Sequence, residues 1–157
     1  MNKNILSILP KLALTFLEFV FIAILFYFRI LTIGWLFIIF GIFILAWAII
    51  QLGLLTTFIF STKYSLLDIG LYLAAHFFYL IGWLFQFDGG DSGGTYWVIQ
   101  RIYSSDALTS FLGSYGDKIF WSATIGSVLC YIAIGIILIV RLILKIRARN
   151  TQTQALA

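Results

Sequence analysis

The chain has 157 residues, of which 62% are hydrophobic and only 10% are charged, and its formal net charge is +4. Soluble domains have about 25% charged residues, so this composition excludes an ordinary soluble protein and favours a membrane protein. The basic excess does not indicate nucleic-acid binding, because the cations lie beside apolar segments, where they set membrane orientation. The lone cysteine, Cys130, excludes an internal disulfide and is typical of a small packing residue.

The chain is organised around an apolar run from Leu12 to Phe60, which few strongly polar residues interrupt. At about 1.5 Å per residue, a helix of this length would be more than twice as long as the roughly 30 Å hydrocarbon core of a bilayer. The run must therefore fold back once, and the polar cluster in Arg29–Gly34 is the best place for the turn. The alternation typical of membrane β-strands is absent from the sequence.

The apolar segments, taken in order, predict an all-α membrane protein, a four-transmembrane-helix bundle that forms a single membrane domain. The segment Ser61–Ser65, which contains Lys63, is the predicted connection between the second and third spans. An outer loop, 88–118, precedes the last span, and a basic and then polar cytoplasmic tail follows it at 145–157. The predicted spans are 11–28, 35–57, 66–87 and 119–144.

The distribution of basic residues predicts that both termini are cytoplasmic, an N-in/C-in orientation. Cytoplasmic segments are enriched in Lys and Arg. The side with both termini would have Lys3, Lys11, Lys63, Arg141, Lys145, Arg147 and Arg149, and the other side Arg29, Arg101 and Lys118. Four tryptophans near predicted outer ends are typical of an interfacial aromatic belt: Trp35, Trp83, Trp97 and Trp121. We expect the protein in the cell (cytoplasmic or inner) membrane.

The outer loop is predicted to combine a flexible hinge with a short amphipathic helix. Asp88–Gly94 is rich in glycine, which is typical of a flexible linker. Ser105 is the predicted N-cap of the short helix, Asp106 lies at the positive end of its dipole, and Gly113 is its predicted end.

The outer loop is also the predicted surface for a partner protein. Aromatic residues are enriched in the hot spots of protein interfaces, and this loop has several of them in a locally structured setting. The alternative is that the same rings rest on lipid headgroups. The candidate partner-binding residues are Tyr96, Trp97, Tyr103, Phe111 and Tyr115.

Every predicted span contains a polar residue at a similar depth. Polar and charged side chains are costly in lipid and usually face the bundle interior, so we expect Glu18 to point inward and to have a polar partner. One hypothesis is a proton or ion relay through Glu18 and His76. The favoured one is a hydrogen-bonded layer that fixes the register of the helices. The predicted intramembrane polar layer consists of Glu18, Gln51, Tyr72, His76 and Tyr131.

Two stripes of small residues indicate where helices pack closely. We expect them to face other helices of the same bundle rather than a second protein. The stripes are Gly34, Gly41 and Ala48 in the second span and Ser122, Gly126 and Cys130 in the fourth.

These features favour a non-enzymatic membrane protein, an accessory, assembly or immunity-type subunit that binds another membrane protein. The alternative is a small oligomeric transporter or channel that moves a proton, an ion or a small solute and uses Glu18 and His76. Paired carboxylates, a Ser/His/Asp array and a phosphate-binding glycine loop are missing from the sequence, so an enzyme is not expected. Neither a cofactor nor a metal ion is expected. The expected partners are the lipid bilayer and either a membrane protein or further copies of the chain.

Overall fold

A computed structural model of the chain describes the backbone of residues 3–31, 35–61, 65–89 and 95–155. Within these ranges the α-helices are α1 (Lys3–Ile30), α2 (Trp35–Ser61), α3 (Leu66–Leu84), α4 (Asp106–Phe111) and α5 (Asp117–Ala155). Between α3 and α4 lie two short strands and a 3₁₀-helix: β1 (Phe87–Gly89), β2 (Thr95–Trp97) and Val98–Arg101.

The structure confirms four helical segments that are long and apolar enough to cross a membrane. These segments are Ile8–Ile30, Phe37–Ser61, Leu66–Leu84 and Asp106–Gln152. Three helices extend beyond the predicted spans, because α1 begins before Lys11, α2 continues to Ser61, and α5 continues through the predicted tail to Ala155. The predicted end of the third span at residue 87 is wrong, because α3 ends at Leu84 and Phe87 belongs to β1. The extension of α5 follows from its composition, since the residues after Gly135 include neither Gly nor Pro and contain many strong helix formers.

The connections between the first three helices are described only in part. Residues 32–34 of the first predicted turn and residues 62–64 of the second lie outside the described residues. The start of α3 is described and has a capping box. Its Ser65 hydroxyl accepts a hydrogen bond from the Asp68 backbone N–H at 3.2 Å, and Asp68 Oδ2 accepts one from the Ser65 N–H at 2.9 Å.

The segment predicted as a flexible linker is structured at both of its ends. β1 and β2 pair as an antiparallel hairpin in which Phe87 lies opposite Trp97. Asp88, which was expected in the linker, belongs to β1 and is buried. Residues 90–94, with most of the predicted linker glycines, lie outside the described residues.

The predicted short helix exists but is not separate. Ser105 caps α4 as expected, because its Oγ accepts from the Leu108 N–H at 3.2 Å. The prediction that Gly113 ends this helix is wrong, because α4 continues through a π-helical turn, Leu112–Gly116, directly into α5. Gly113 does not have a positive φ, so it does not serve as a left-handed cap here.

Polar interactions tie the helices together at both ends of the bundle. At the end with β1 and β2, here called the hairpin end, Arg29 Nη2 lies 2.7 Å from Asp88 Oδ2. At the opposite end, here called the terminal end, Arg141 Nη2 donates to both Asp68 carboxylate oxygens at 2.7 and 2.8 Å. These contacts join α1 to β1 and α3 to α5, so they position the core between them.

The core consists of two clusters of buried side chains. The cluster nearer the hairpin end contains Ile22, Leu25, Ile44, Ala48, Tyr79 and Trp83, and the one nearer the terminal end contains Leu55, Phe58, Ala75 and Ile134. The prediction that Trp83 belongs to an exposed interfacial belt is therefore wrong for this residue, which is fully buried. Its ring lies beside that of Trp47 on α2, with centroids 6.4 Å apart.

Glycines allow bulky rings to pack against α3 and α5. A Cβ atom on Gly126 of α5 would lie 2.6 Å from Cδ1 of Phe78 on α3, which is closer than such atoms pack. A Cβ atom on Gly82 would lie 2.5 Å from Cη2 of Trp47. Among the predicted small-residue stripes, Ala48 is buried in the core, Ser122 is exposed, and Gly34 lies outside the described residues.

Candidate functional site

Glu18 of α1 is the centre of a polar layer inside the bundle. Its side chain is fully buried. Its Oε1 accepts a hydrogen bond from Gln51 Nε2 of α2 at 3.0 Å, and its Oε2 accepts one from the Tyr72 hydroxyl of α3 at 3.4 Å. His76 Nε2, also on α3, pairs with the same Oε2 atom. One carboxylate therefore joins three helices.

The fourth long helix joins the layer through Gln51. The Tyr131 hydroxyl of α5 donates to Gln51 Oε1 at 2.6 Å, and the indole Nε1–H of Trp47 donates to the Tyr131 oxygen at 3.1 Å. The structure thus brings together all five residues of the predicted layer and adds Trp47. Sequence reasoning missed Trp47 as a member, although one signal was available. It is the tryptophan that lies far from both ends of its predicted span.

Helical spacing explains how α3 contributes two members. Tyr72 and His76 are four residues apart and therefore lie on one face of the helix. His76 Nδ1 lies 2.9 Å from the backbone carbonyl oxygen of Tyr72. A carbonyl oxygen only accepts, so Nδ1 is the protonated nitrogen and donates this bond. Tyr79, one turn further along, instead packs its ring against Trp47 in the core.

The tautomer of His76 limits what the layer can do chemically. With Nδ1–H directed at a carbonyl, Nε2 faces Glu18, and a single proton between them gives either a neutral pair or an imidazolium–carboxylate pair. His76 is 21% exposed and is the member of this pair that reaches the protein surface. The two residues could therefore accept and release one proton.

The rest of the layer does not extend a proton path. A carboxamide such as Gln51 and an indole such as Trp47 donate hydrogen bonds but do not readily exchange protons. The hydrogen bonds from Trp47 to Tyr131 and from Tyr131 to Gln51 therefore fix the relative positions of α2 and α5 but do not transfer protons between them. Proton exchange in this layer is restricted to the vicinity of Glu18, Tyr72 and His76.

A small cavity lies between the polar layer and the terminal end. Its volume is about 270 Å³, and its mainly apolar walls include Tyr72 and Asp68, which lie one turn apart on α3. The other lining residues are Leu14, Phe58, Ile59, Ile69 and Leu73. Its accessible surface is wholly apolar, so it does not link the buried carboxylate of Glu18 to the Asp68–Arg141 ion pair.

A groove runs along the outer face of α3 and α5. It consists of two adjoining cavities of about 710 and 590 Å³, which share Phe78 as a wall. Its floor contains the small residues Gly70, Ala74 and Gly126, and nothing lies within 4 Å of the position where Gly70 would have a Cβ atom. Exposed apolar side chains such as Leu67 form its edges.

The hairpin end of this groove contains two of the predicted partner-binding aromatics. Phe111 and Tyr115 both line it, and their ring centroids are 5.4 Å apart. Lys118 Nζ lies 5.9 Å from the Tyr115 ring centroid. Tyr96 and Tyr103 are also exposed but do not line the groove.

Trp97 differs from the other predicted partner-binding residues, and its assignment to an accessible surface is wrong. Only 5% of this residue is exposed. Its ring centroid lies 5.3 Å from that of Phe87, and the ring packs so closely on Gly116 that a Cβ atom there would clash with it. In the pairing of β2 with β1, Trp97 packs on the π-helical turn, Leu112–Gly116, an outcome that the local sequence does not reveal.

In the described residues, no group of three or more His, Cys, Asp or Glu side chains could hold a metal ion. Comparisons of the chain with protein-family models, with curated proteins and with solved structures found no match. The features that bear on function are therefore the polar layer, the groove and the charges at the two ends of the bundle.

Proposed function

We propose that the chain is a multi-pass protein of the cell membrane with both termini in the cytoplasm. The four long apolar helices support a membrane location, and the excess of Lys and Arg at the terminal end supports this orientation. Cysteines placed at the exposed Ser104 and Gln152, in a Cys130→Ser background, test it. An impermeant thiol reagent added outside intact cells should label position 104 and not position 152, and the reverse pattern would contradict the orientation.

Within that membrane, we propose that the chain is an accessory, assembly or immunity-type subunit that binds a transmembrane helix of another membrane protein. The groove between α3 and α5 is the observation that supports this proposal. Its lining extends from Leu66, the first residue of α3, to Phe85, which directly follows α3, and this is about 28 Å at 1.5 Å per residue and close to the ~30 Å thickness of the hydrocarbon core. A partner helix could therefore contact it over a full crossing.

The chemistry of the groove also favours a helix. Lipid supplies no hydrophobic drive for helix association, so membrane helices pair where small residues let backbones approach. Gly70 and Ala74 provide such a floor, whereas the Phe78 ring covers Gly126. Phe111 and Tyr115 provide large rings at one end, and rings of this kind are common in interface hot spots. A second copy of the chain could occupy the groove through the same contacts. Lipid alone would fill the groove without specific binding.

Photocrosslinking identifies which of these molecules occupies the groove. Benzoylphenylalanine replaces Leu67, an exposed residue of the groove, and in a control replaces Ile42, which is exposed on α2 away from the groove. We expect a single protein product from position 67 that is absent from position 42, and mass spectrometry will distinguish a foreign partner from a second copy. Protein-free lipid adducts at both positions would contradict the proposal.

Matched glycine variants assign the product to the groove. Gly70→Leu fills the floor, whereas Gly53→Leu adds the same side chain on α2, and both positions have open space around the added Cβ. Gly70→Leu should abolish the crosslinked product and Gly53→Leu should retain it. Equal yields from the two variants would show that the partner does not occupy the groove.

The alternative function is a small transporter or channel for a proton, an ion or a small solute. The Glu18–His76 pair favours it. The bonding of Gln51 and Trp47 argues against a proton path through the whole bundle, which is why we favour the binding subunit. A transporter would lose flux on Glu18→Gln or His76→Ala and would tolerate loss of the groove aromatics.

A further inference from the structure

The hairpin end of the groove between α3 and α5 has two hydrogen-bond donors on α5. Lys118 and Ser122 line the cavity of about 590 Å³ at this end, and both residues are exposed. They are four residues apart, so their Cβ atoms lie about 5–6 Å from each other on one face of the helix. Among the described residues that line the groove, Lys118 is the one with a formal charge.

The charge of Lys118 is not compensated within the described part of the chain. Its ammonium forms no ion pair there, not even with the neighbouring Asp117, whereas the buried Arg29 is paired with Asp88. Lys118 Nζ lies 5.9 Å from the Tyr115 ring centroid. A ring face attracts a cation but does not neutralise it, so this contact keeps the ammonium beside the groove and leaves its charge available to a partner.

The Ser122 hydroxyl is available as well. Ser and Thr hydroxyls inside helices often donate to the carbonyl oxygen four residues back. On α5, Thr124 donates in this way at 2.9 Å and Ser127 at 3.0 Å. Ser122 makes no such bond, and its hydroxyl has no other hydrogen-bond partner among the described residues. A hydroxyl without a partner is costly in lipid, so a hydrogen bond from Ser122 to a neighbouring helix would be stabilising.

The two donors together select an acceptor with a negative charge. A lysine ammonium only donates hydrogen bonds, whereas an ionised carboxylate only accepts them and can do so at both oxygens. One carboxylate could therefore accept from Lys118 and from Ser122 at the same time. Charge-assisted hydrogen bonds of this kind are stronger than those between neutral groups.

The depth of Ser122 favours a carboxylate on a helix over a lipid phosphate. Lys118 and Phe85, the residue that directly follows α3, line the same end of the groove. Ser122 lies one turn, or about 6 Å, further toward the polar layer. A lipid phosphate stays in the headgroup region outside the hydrocarbon core, whereas a side chain on a helix in the groove can lie between the two donors.

We propose that the partner helix has an Asp or Glu in its last turn at the hairpin end, and that this carboxylate pairs with Lys118 and accepts a hydrogen bond from Ser122. The acidic residue belongs to the helix that we propose as the occupant of the groove, so its assignment rests on the proposed function. The apolar remainder of the groove contacts the rest of that helix, and the carboxylate fixes its depth and direction.

Photocrosslinking from position 67, at the opposite end of the groove, tests the pairing without replacing either donor. Lys118→Glu turns the attraction into a repulsion and should reduce the yield of the protein product about 5-fold or more. Ser122→Ala should reduce it about 2- to 3-fold, as one hydrogen bond between membrane helices predicts. Lys118→Arg keeps the charge and should retain the product. In the controls, Arg101→Glu and Ser104→Ala, the changes are at exposed positions outside the groove and should leave the yield unchanged.

Mass spectrometry of the product from the native chain gives the sequence of the crosslinked helix, which stays informative even if Lys118→Glu does not fold. A Lys in place of the partner's acidic residue, combined with Lys118→Glu, should restore the lost product. No protein product from position 67 in the native chain would contradict the proposed function itself. A native product that persists at full yield in Lys118→Glu, that the charge exchange does not restore, or whose helix lacks Asp and Glu at this end would overturn the acidic assignment alone.

Discussion

Arg29, in the last turn of α1, donates from Nη2 to Asp88 Oδ2 over 2.7 Å, although 59 residues separate them. The same carboxylate oxygen accepts from the Phe37 backbone N–H in the first turn of α2 at 3.1 Å. The Arg29 guanidinium also lies 5.1 Å from the Phe37 ring centroid. Asp88 therefore holds the end of α1, the start of α2 and the hairpin at one point.

We predict that Asp88→Ala strongly destabilises the protein. It removes the carboxylate of an almost fully buried ion pair, and breaking such a pair costs about 3–5 kcal/mol. Unfolding in mixed micelles with increasing dodecyl sulfate, followed by circular dichroism, will measure the change. Asp106→Ala is the control, because Asp106 is exposed in the first turn of α4 and its helix-dipole contribution is only about 0.3–1 kcal/mol. Equal small losses in both variants would contradict the importance of the Arg29–Asp88 pair.

Two glycines of α5 should respond in opposite ways to alanine. Gly→Ala inside a helix ordinarily gains up to about 1 kcal/mol from propensity. Gly135 has nothing within 4 Å of an added Cβ, so Gly135→Ala should be neutral or stabilising. At Gly126 the added Cβ would lie 2.6 Å from the Phe78 ring, and overpacking of this kind costs about 1–3 kcal/mol. The same unfolding assay compares them, and a Gly126→Ala variant as stable as Gly135→Ala would mean that Phe78 moves freely.

Alanine substitutions at Trp97 and Phe111 should have different effects, the first on stability and the second on partner binding. Trp97 is packed against Phe87 and Gly116, so Trp97→Ala should cost about 3–5 kcal/mol of stability. Phe111 is exposed at the groove, and its truncation should change stability by about 0.5 kcal/mol or less. We expect Phe111→Ala to reduce partner co-purification at normal expression. Retained co-purification in that variant would remove Phe111 from the proposed interface.

The polar layer could be predicted from sequence to a greater extent than the hairpin end. A carboxylate such as Glu18 in an apolar helix has few tolerable environments, so its inward direction and polar partners follow from energetics alone. The hairpin end depends on tertiary contacts. Nothing local to Asp88 indicates a partner 59 residues away, and nothing local to Trp97 shows that strand pairing turns its ring inward. Gly113 is a comparable case, because a glycine near a predicted helix end does not reveal that α5 continues the same helix.

Two substitutions of Glu18 distinguish a register-fixing layer from a relay. Glu18→Gln retains an acceptor for Gln51 Nε2 and offers an N–H to His76 Nε2, so most of the layer's bonds persist. Because hydrogen bonds between membrane helices average only about 0.6 kcal/mol, this variant should keep its stability within about 1 kcal/mol. Glu18→Leu removes the acceptor for Gln51 and Tyr72 and the partner of His76 together, and it should lose about 2 kcal/mol.

Stability and transport must be measured on the same two variants. Proteoliposomes with an internal pH dye report proton flux, and co-purification reports partner binding. If the layer only fixes register, Glu18→Gln behaves as the native chain in both assays, and Glu18→Leu loses partner binding in proportion to its lost stability. A relay gives the opposite result, since Glu18→Gln cannot exchange the proton that Glu18 and His76 share. Loss of flux in a stable Glu18→Gln variant would favour the transporter over the binding subunit, because Gln preserves most of the contacts and removes the titratable group.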